Sequence, residues 1–224
     1  GTKLATAKHG HEVYNASFDL SGTRFVTASR DSSACVWDVS TGAKISSMKH
    51  GDRCMSAMFD ASGNRIVTAS FDKSSTVWDV VSGVKVFTAK HRSLVFSASF
   101  DSLGAHVVTG GDERAAKVWE IASGREVAVL QHKDRVYTAA FDPTGTRVIS
   151  ASADRSAVVW DVATGAPLLT ARHRGGLLNA TFDPSGELVA TASSDHTAGV
   201  WRVATGDHLV SVEHDAAVNS VAFN

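Results

Sequence analysis

The residues able to do chemistry in this 224-residue chain recur at a single spacing. Histidines at 9, 50, 91, 132, 173 and 214 lie 41 residues apart. Each of the first five is followed 18 residues on by Thr or Ser and 22 residues on by an acid. The sets are His9, Thr27, Asp31; His50, Thr68, Asp72; His91, Thr109, Glu113; His132, Ser150, Asp154; and His173, Thr191, Asp195. Hydroxyl, imidazole and carboxylate are the parts of a nucleophilic hydrolase triad. An active site is normally a single exception in a fold, however, and this constellation occurs five times. Trp37, Trp78, Trp119, Trp160 and Trp201 accompany the sets at the same period. Indole gives only an N–H, a hydroxyl gives and takes, imidazole does one of each, and a carboxylate takes. A chain from Trp to Ser/Thr to His to Asp therefore satisfies every member of a buried network. The structural reading is preferred to the catalytic one. Glu113 is a methylene longer than the Asp of the other sets, so the third network is expected to be the weakest.

Metal chemistry fits no better. Histidines 41 residues apart belong to different units and cannot converge on one ion. His11, His106, His196 and His208 have no Cys or carboxylate partner at ligand spacing. No Gly-rich phosphate loop runs from a strand into a helix. The expectation is a protein that is not an enzyme, with no metal and no cofactor.

The elements that hold these residues are short strands. Phe18, Phe59, Phe100, Phe141, Phe182 and Phe223 share the period, as do two rows of glycines beginning at Gly22 and Gly42. A fixed period in this range signals a repeat architecture. In the first unit the runs are Val13 to Phe18, Arg24 to Ser29, Ala34 to Val39 and Ala43 to Met48. Each is about six residues long and rich in β-branched or aromatic side chains. Asp-x-x-Gly and Ser/Thr-Gly links between them read as hairpin turns. The fold class expected is all-β, with four antiparallel strands in every 41 residues.

The chain resembles the WD40 β-propeller family over its whole length. Val36-Trp37-Asp38, Val77-Trp78-Asp79 and Val159-Trp160-Asp161 carry the motif. It relaxes to Val118-Trp119-Glu120 and Val200-Trp201-Arg202. The family usually has Gly before the periodic His, where this chain has Lys8, Lys49, Lys90, Gln131, Arg172 and Glu213. The resemblance implies that each Trp–Ser/Thr–His–Asp set ties the strands of one blade together. Five complete blades span 9–49, 50–90, 91–131, 132–172 and 173–213 of one domain over 1–224. Residues 1–8 match an outer strand and 214–224 a partial sixth unit. The expectation is an open or incomplete ring: part of a longer array, or a fragment that pairs with another chain through its open edges. The repeat style also resembles arrays in bacterial multidomain signalling or NTPase-type proteins.

Positions that vary between repeats are free for function. By resemblance, three of them ring the top-face entrance of the central channel. They hold Tyr14, Met55, Phe96, Tyr137 and Leu178; Arg53, Leu94 and Arg135; and Arg30 and Phe71. Aromatics, Met and Arg are enriched at protein interfaces, so the partner expected is a protein or peptide. The same side chains could instead pack between blades, since Tyr14 and Phe18 share one strand face; a bulge would turn them outward.

Lys8, Lys49, Lys90, Arg92, Lys133, Arg172 and Arg174 flank the periodic histidines and could attract an acidic partner or a nucleic-acid backbone. They could equally be solvated loop residues. A formal net charge of −1 makes nucleic acid the less favoured partner. Asp19, Asp60, Asp101, Asp142 and Asp183 fall in the opposite turns and are expected to make that face acidic. With 43% apolar and 20% charged residues the chain is able to bury a core. It has no apolar run long enough to span a membrane. Two cysteines, and no charged-then-apolar opening segment, point to a reducing, cytoplasmic compartment.

Overall fold

The computed structural model describes residues 6–223. Twenty six-residue strands form five four-stranded antiparallel sheets, each ordered along the chain from inner to outer strand. Blade one comprises Val13–Phe18, Arg24–Ser29, Ser33–Asp38 and Lys44–Lys49, and the other four repeat it 41 residues on. The described residues contain no helix, and so none able to cross a membrane.

Turn chemistry sets the strand boundaries. In the inner turn of blade one Gly22 takes φ 69° and donates its N–H to the Asp19 carbonyl, 3.0 Å away. Gly42 does the same for the outer hairpin at φ 70°, with Asp38 accepting from the Thr41 N–H at 2.8 Å. A side chain at either glycine would strain the backbone.

The core lies between blades rather than within one. Val26, Ala28, Ala34, Val36 and Met48 of blade one meet Cys54, Ala57, Phe59, Ile66 and Trp78 of blade two. Similar apolar layers join blades two to three, three to four and four to five. The sheets do not close into a ring, and two blade faces stay uncovered. On blade one Phe18 is 66% exposed, against 7% for its repeat-mate Phe59. On blade five Val212 is 49% exposed, against 0% for Ala171.

The inner strands carry a bulge that periodicity left open. Pairing with the second strand shifts between Val13 and Asn15, Cys54 and Ser56, Val136 and Thr138, and Leu177 and Asn179. In blade three Val95 and Ser97 pair with neighbouring Gly111 and Gly110. The residue left over is Tyr14, Met55, Phe96, Tyr137 or Leu178, and an unpaired bulge residue is re-aimed away from its strand's alternation.

Three expectations need correction. The partial unit 214–224 contributes no strand over its described residues, to 223. Val218 N–H reaches the Ser193 carbonyl and Val221 N–H reaches Asn179 Oδ1, two contacts where a ladder would need more. Residues 6–8 form no strand either, and 1–5 of the expected outer strand lie outside the described residues. Finally, the inner-turn aspartates are not an exposed acidic row. Asp19, Asp60, Asp101 and Asp142 are buried, and Asp183 is partly so. Asp19, Asp60 and Asp142 each pair with the arginine five residues on, at 2.9 Å: Arg24, Arg65 and Arg147. His106 fills that role beside Asp101 at 3.0 Å.

Candidate functional site

The networks tie three distant pieces of chain in each blade. In blade four His132 Nδ1 lies 2.9 Å from Asp154 and Nε2 lies 2.7 Å from Ser150 Oγ. The Trp160 indole N–H donates to the same hydroxyl at 2.7 Å. A carboxylate only accepts, so the imidazole proton sits on Nδ1 and the hydroxyl donates to Nε2. Blades one and two repeat the arrangement. His9 is 3.0 Å from Asp31 and 2.7 Å from Thr27, and His50 is 2.8 Å from Asp72 and 2.7 Å from Thr68. Trp37 and Trp78 each donate at 2.8 Å.

Burial lowers the pKa of His50 and His132. Burial opposes ionisation of Asp72 and Asp154, but donors from Ser74 or Ser156, a backbone N–H and the imidazole outweigh it and hold both at about 2. The same balance holds Asp31 well below the usual range, and at Asp195 burial is outweighed in the same way by the Thr197 and Ser193 hydroxyls and backbone N–H groups. The Ser150 hydroxyl is buried, bonded to both Trp160 and His132.

Two of the five networks depart from the expected chain. In blade three Glu113 swings to Lys117, at 2.6 Å, and stands 3.8 Å from His91. Lys117 also reaches Glu126 of the outer strand at 3.3 Å. His91 Nε2 is left buried without a partner, although Trp119 still donates to Thr109 at 3.1 Å. The third network is rewired, because the longer acid finds a lysine on the adjacent strand. In blade five His173 Nδ1 bonds Thr197 Oγ1 at 2.9 Å, and Asp195 is 3.5 Å away. Thr197 stands where blades one, two and four have serine, and its hydroxyl relays the contact by donating to Asp195 at 2.6 Å. Thr191 still joins His173 and Trp201, at 2.9 and 3.1 Å.

The ring positions gather at the opposite end of the blades from the buried aspartates. Phe71, Phe96 and Tyr137, from three successive blades, form a ladder with ring centroids 5.9 Å apart at both steps. Arg53 lies over the Phe71 face at 5.7 Å. Arg30 pairs with Glu12 at 3.2 Å within blade one, and Arg135 with Asp112 at 3.4 Å between blades three and four. Met55, Leu94 and Leu178 are half-buried alongside, whereas Tyr14 is exposed and stands apart from the ladder. The structure thus joins Arg53, Phe71, Phe96 and Tyr137 into one patch and leaves Tyr14, Arg30 and Leu178 at its margins.

Sequence reasoning missed the latches at the other end. Arg65 Nη2 donates to the Gly104 carbonyl of the next blade at 2.7 Å, and Arg147 to that of Gly186 at 2.9 Å. Both guanidinium groups also lie over a phenylalanine of that blade, Phe100 or Phe182, at 5.5 Å. The fixed Asp-to-Arg step of five residues, repeated at the period, is the signal that could have found them. At the end of the inner-turn aspartates, Phe59, Phe100, Phe141 and Phe182 line a hollow of about 400 Å³ together with Asp101, Asp142 and Asp183. Cys35 and Cys54 are buried free thiols, and burial pushes the Cys54 thiol far up.

The WD domain, G-beta repeat (WD40) family model matches residues 1–38, 42–79, 83–120, 124–161 and 165–202. No curated protein sequence matches the chain. Five matched repeats, each folded as a four-stranded blade, place this chain in the WD40 repeat family.

Proposed function

We propose that the protein is a non-catalytic scaffold that binds a protein or peptide partner through the top-face loops. WD40 repeats make a rigid interaction platform, and the ladder of Phe71, Phe96 and Tyr137 capped by Arg53 is the observation that carries the finer reading. Bulge residues contribute nothing to the sheet ladder, so apolar side chains re-aimed there are free for a partner. Aromatic and Arg anchors of this kind typically cost about 2 kcal/mol or more of binding when truncated. The test is pull-down with the intact chain and with a Tyr14, Phe71, Phe96 and Tyr137 to Ala variant of unchanged thermal stability. Partner loss is expected; equal recovery rejects this face.

A second reading is assembly through the uncovered blade faces, favoured by the exposure of Phe18 and Val212 at positions buried elsewhere. Solution mass decides it, since a stable monomer at micromolar concentration sinks pairing. The reading includes a reducing, cytoplasmic setting, supported by the two buried free thiols.

A further inference from the structure

The turn between second and third strands forces a non-glycine residue into the left-handed region in every blade: Ser32, Lys73, Arg114, Arg155 and His196, at φ 62° to 75°. Left-handed backbone disfavours side chains with a Cβ, and such strain collects at ligand clamps and switch regions. Three successive blades nonetheless place a long cation there, where Gly or Asn would relieve the backbone.

Each of the three adjoins a second cation. His91 N–H donates to the Lys73 carbonyl at 2.9 Å, which sets Lys73 against the loop bearing Arg92. His132 N–H to Arg114 at 2.8 Å and His173 N–H to Arg155 at 3.1 Å do the same for Lys133 and Arg174. All six side chains are exposed. Most acids of these loops are committed elsewhere: Asp72, Asp154 and Asp195 to their blade networks, Glu113 to Lys117, and Asp112 to Arg135, whereas Asp134, exposed beside Lys133, accepts only the Arg135 N–H. None of the six cations enters an ion pair among the described residues, unlike Arg24, Arg65 and Arg147 at the other end.

The geometry points to a crescent of cations along the rim from blade two to the start of blade five that binds an acidic polypeptide segment. It lies outside the aromatic ladder and does not rest on the ladder's role. A flexible chain with clustered carboxylates can follow pairs of cations set one blade apart. Nucleic acid is the weaker fit. Base stacking needs exposed aromatic faces, and the rim cations have none beside them except Phe71, which the ladder uses.

The test is fluorescence anisotropy of a labelled poly-glutamate peptide with the full chain, at low and at about 150 mM salt, where a screening length of about 8 Å weakens exposed pairs. Salt-sensitive binding is expected. Lys73→Gly, Arg114→Gly and Arg155→Gly together should weaken it at least about tenfold while leaving Tm unchanged or raised, because glycine suits the left-handed turn. The Tyr14, Phe71, Phe96 and Tyr137 to Ala variant should bind as the parent does. A control with equal charge loss, Lys44→Gln, Lys85→Gln and Arg125→Gln, should do likewise. Absence of salt-sensitive binding, full binding by the glycine variant, or equal loss in the charge control overturns the rim. Tighter binding of a labelled oligothymidylate than of poly-glutamate overturns the choice of partner.

Discussion

Replacing His132 and then His91 by Phe puts one substitution into an intact network and into a broken one. Phenylalanine keeps a ring edge-on to the tryptophan, which lies 5.6 Å away in blade four and 5.4 Å in blade three. At His132 it removes the 2.9 Å bond to Asp154 and the 2.7 Å bond to Ser150. A hydrogen bond to a charged group contributes about 1.5–3 kcal/mol, and buried groups stripped of a partner cost about as much. Some donors to Asp154 and Ser150 remain, so about 3 kcal/mol is the expected loss. For a chain of this length that is about 6–12 °C in Tm. At His91 no comparable bond exists to lose: Glu113 is 3.8 Å away and Nε2 is an orphan. His91→Phe should therefore lie between neutral and about 1 kcal/mol stabilising. Calorimetry at pH 7.5 gives the comparison, with amide exchange in each blade as the local readout, since repeats need not unfold together. Equal losses at the two sites, within about 0.5 kcal/mol, would refute the claim that blade three has abandoned its network.

Arg147→Met should strand the buried Asp142 carboxylate and cost about 3 kcal/mol, measured as a fall in the guanidinium midpoint that Asp142→Asn partly reverses. Burial holds His50, His132 and His173 below the ordinary imidazole value of 6.5, and His91 at about 4. The unfolded chain takes up protons there before the folded one does, so stability should decline as pH falls from 6.5 towards 4. A second decline should follow below 3.8 as the unfolded chain protonates carboxylates that the fold keeps ionised at Asp72 and Asp154. Urea midpoints flat between pH 6.5 and 4 would contradict the first of these. Gly199→Thr should destabilise blade five, because a Cβ there meets Trp201 Nε1 at 2.9 Å and Thr191 Oγ1 at 3.2 Å. An unchanged Tm would show that Trp201 moves aside freely.

Repeat length, strand number and the membership of the networks in blades one, two and four were legible because one period wrote them over and over. The rewiring of blade three was only half legible. Glu113 marked the weak unit, and Lys117 four residues on was within local reach, but Glu126 lies on the next strand and only register brings it to Lys117. The inner-turn aspartates misled for a related reason. A charged residue in a turn reads as solvated, whereas Arg24, Arg65 and Arg147 fold back over them and onto the next blade's phenylalanine. The direction of Tyr14, Met55, Phe96, Tyr137 and Leu178 could not follow from alternation either. A bulge breaks alternation at the one position that mattered.

The arginine latch repeats between blades one and two, two and three, and four and five, each time over the next blade's phenylalanine. Blades joined in this way are interchangeable parts. A duplication or loss of whole 41-residue units through unequal recombination would leave the surviving joints chemically intact. Such a gene can lengthen or shorten its product in steps of one blade, and it carries top-face residues to new neighbours without redesigning the frame beneath them.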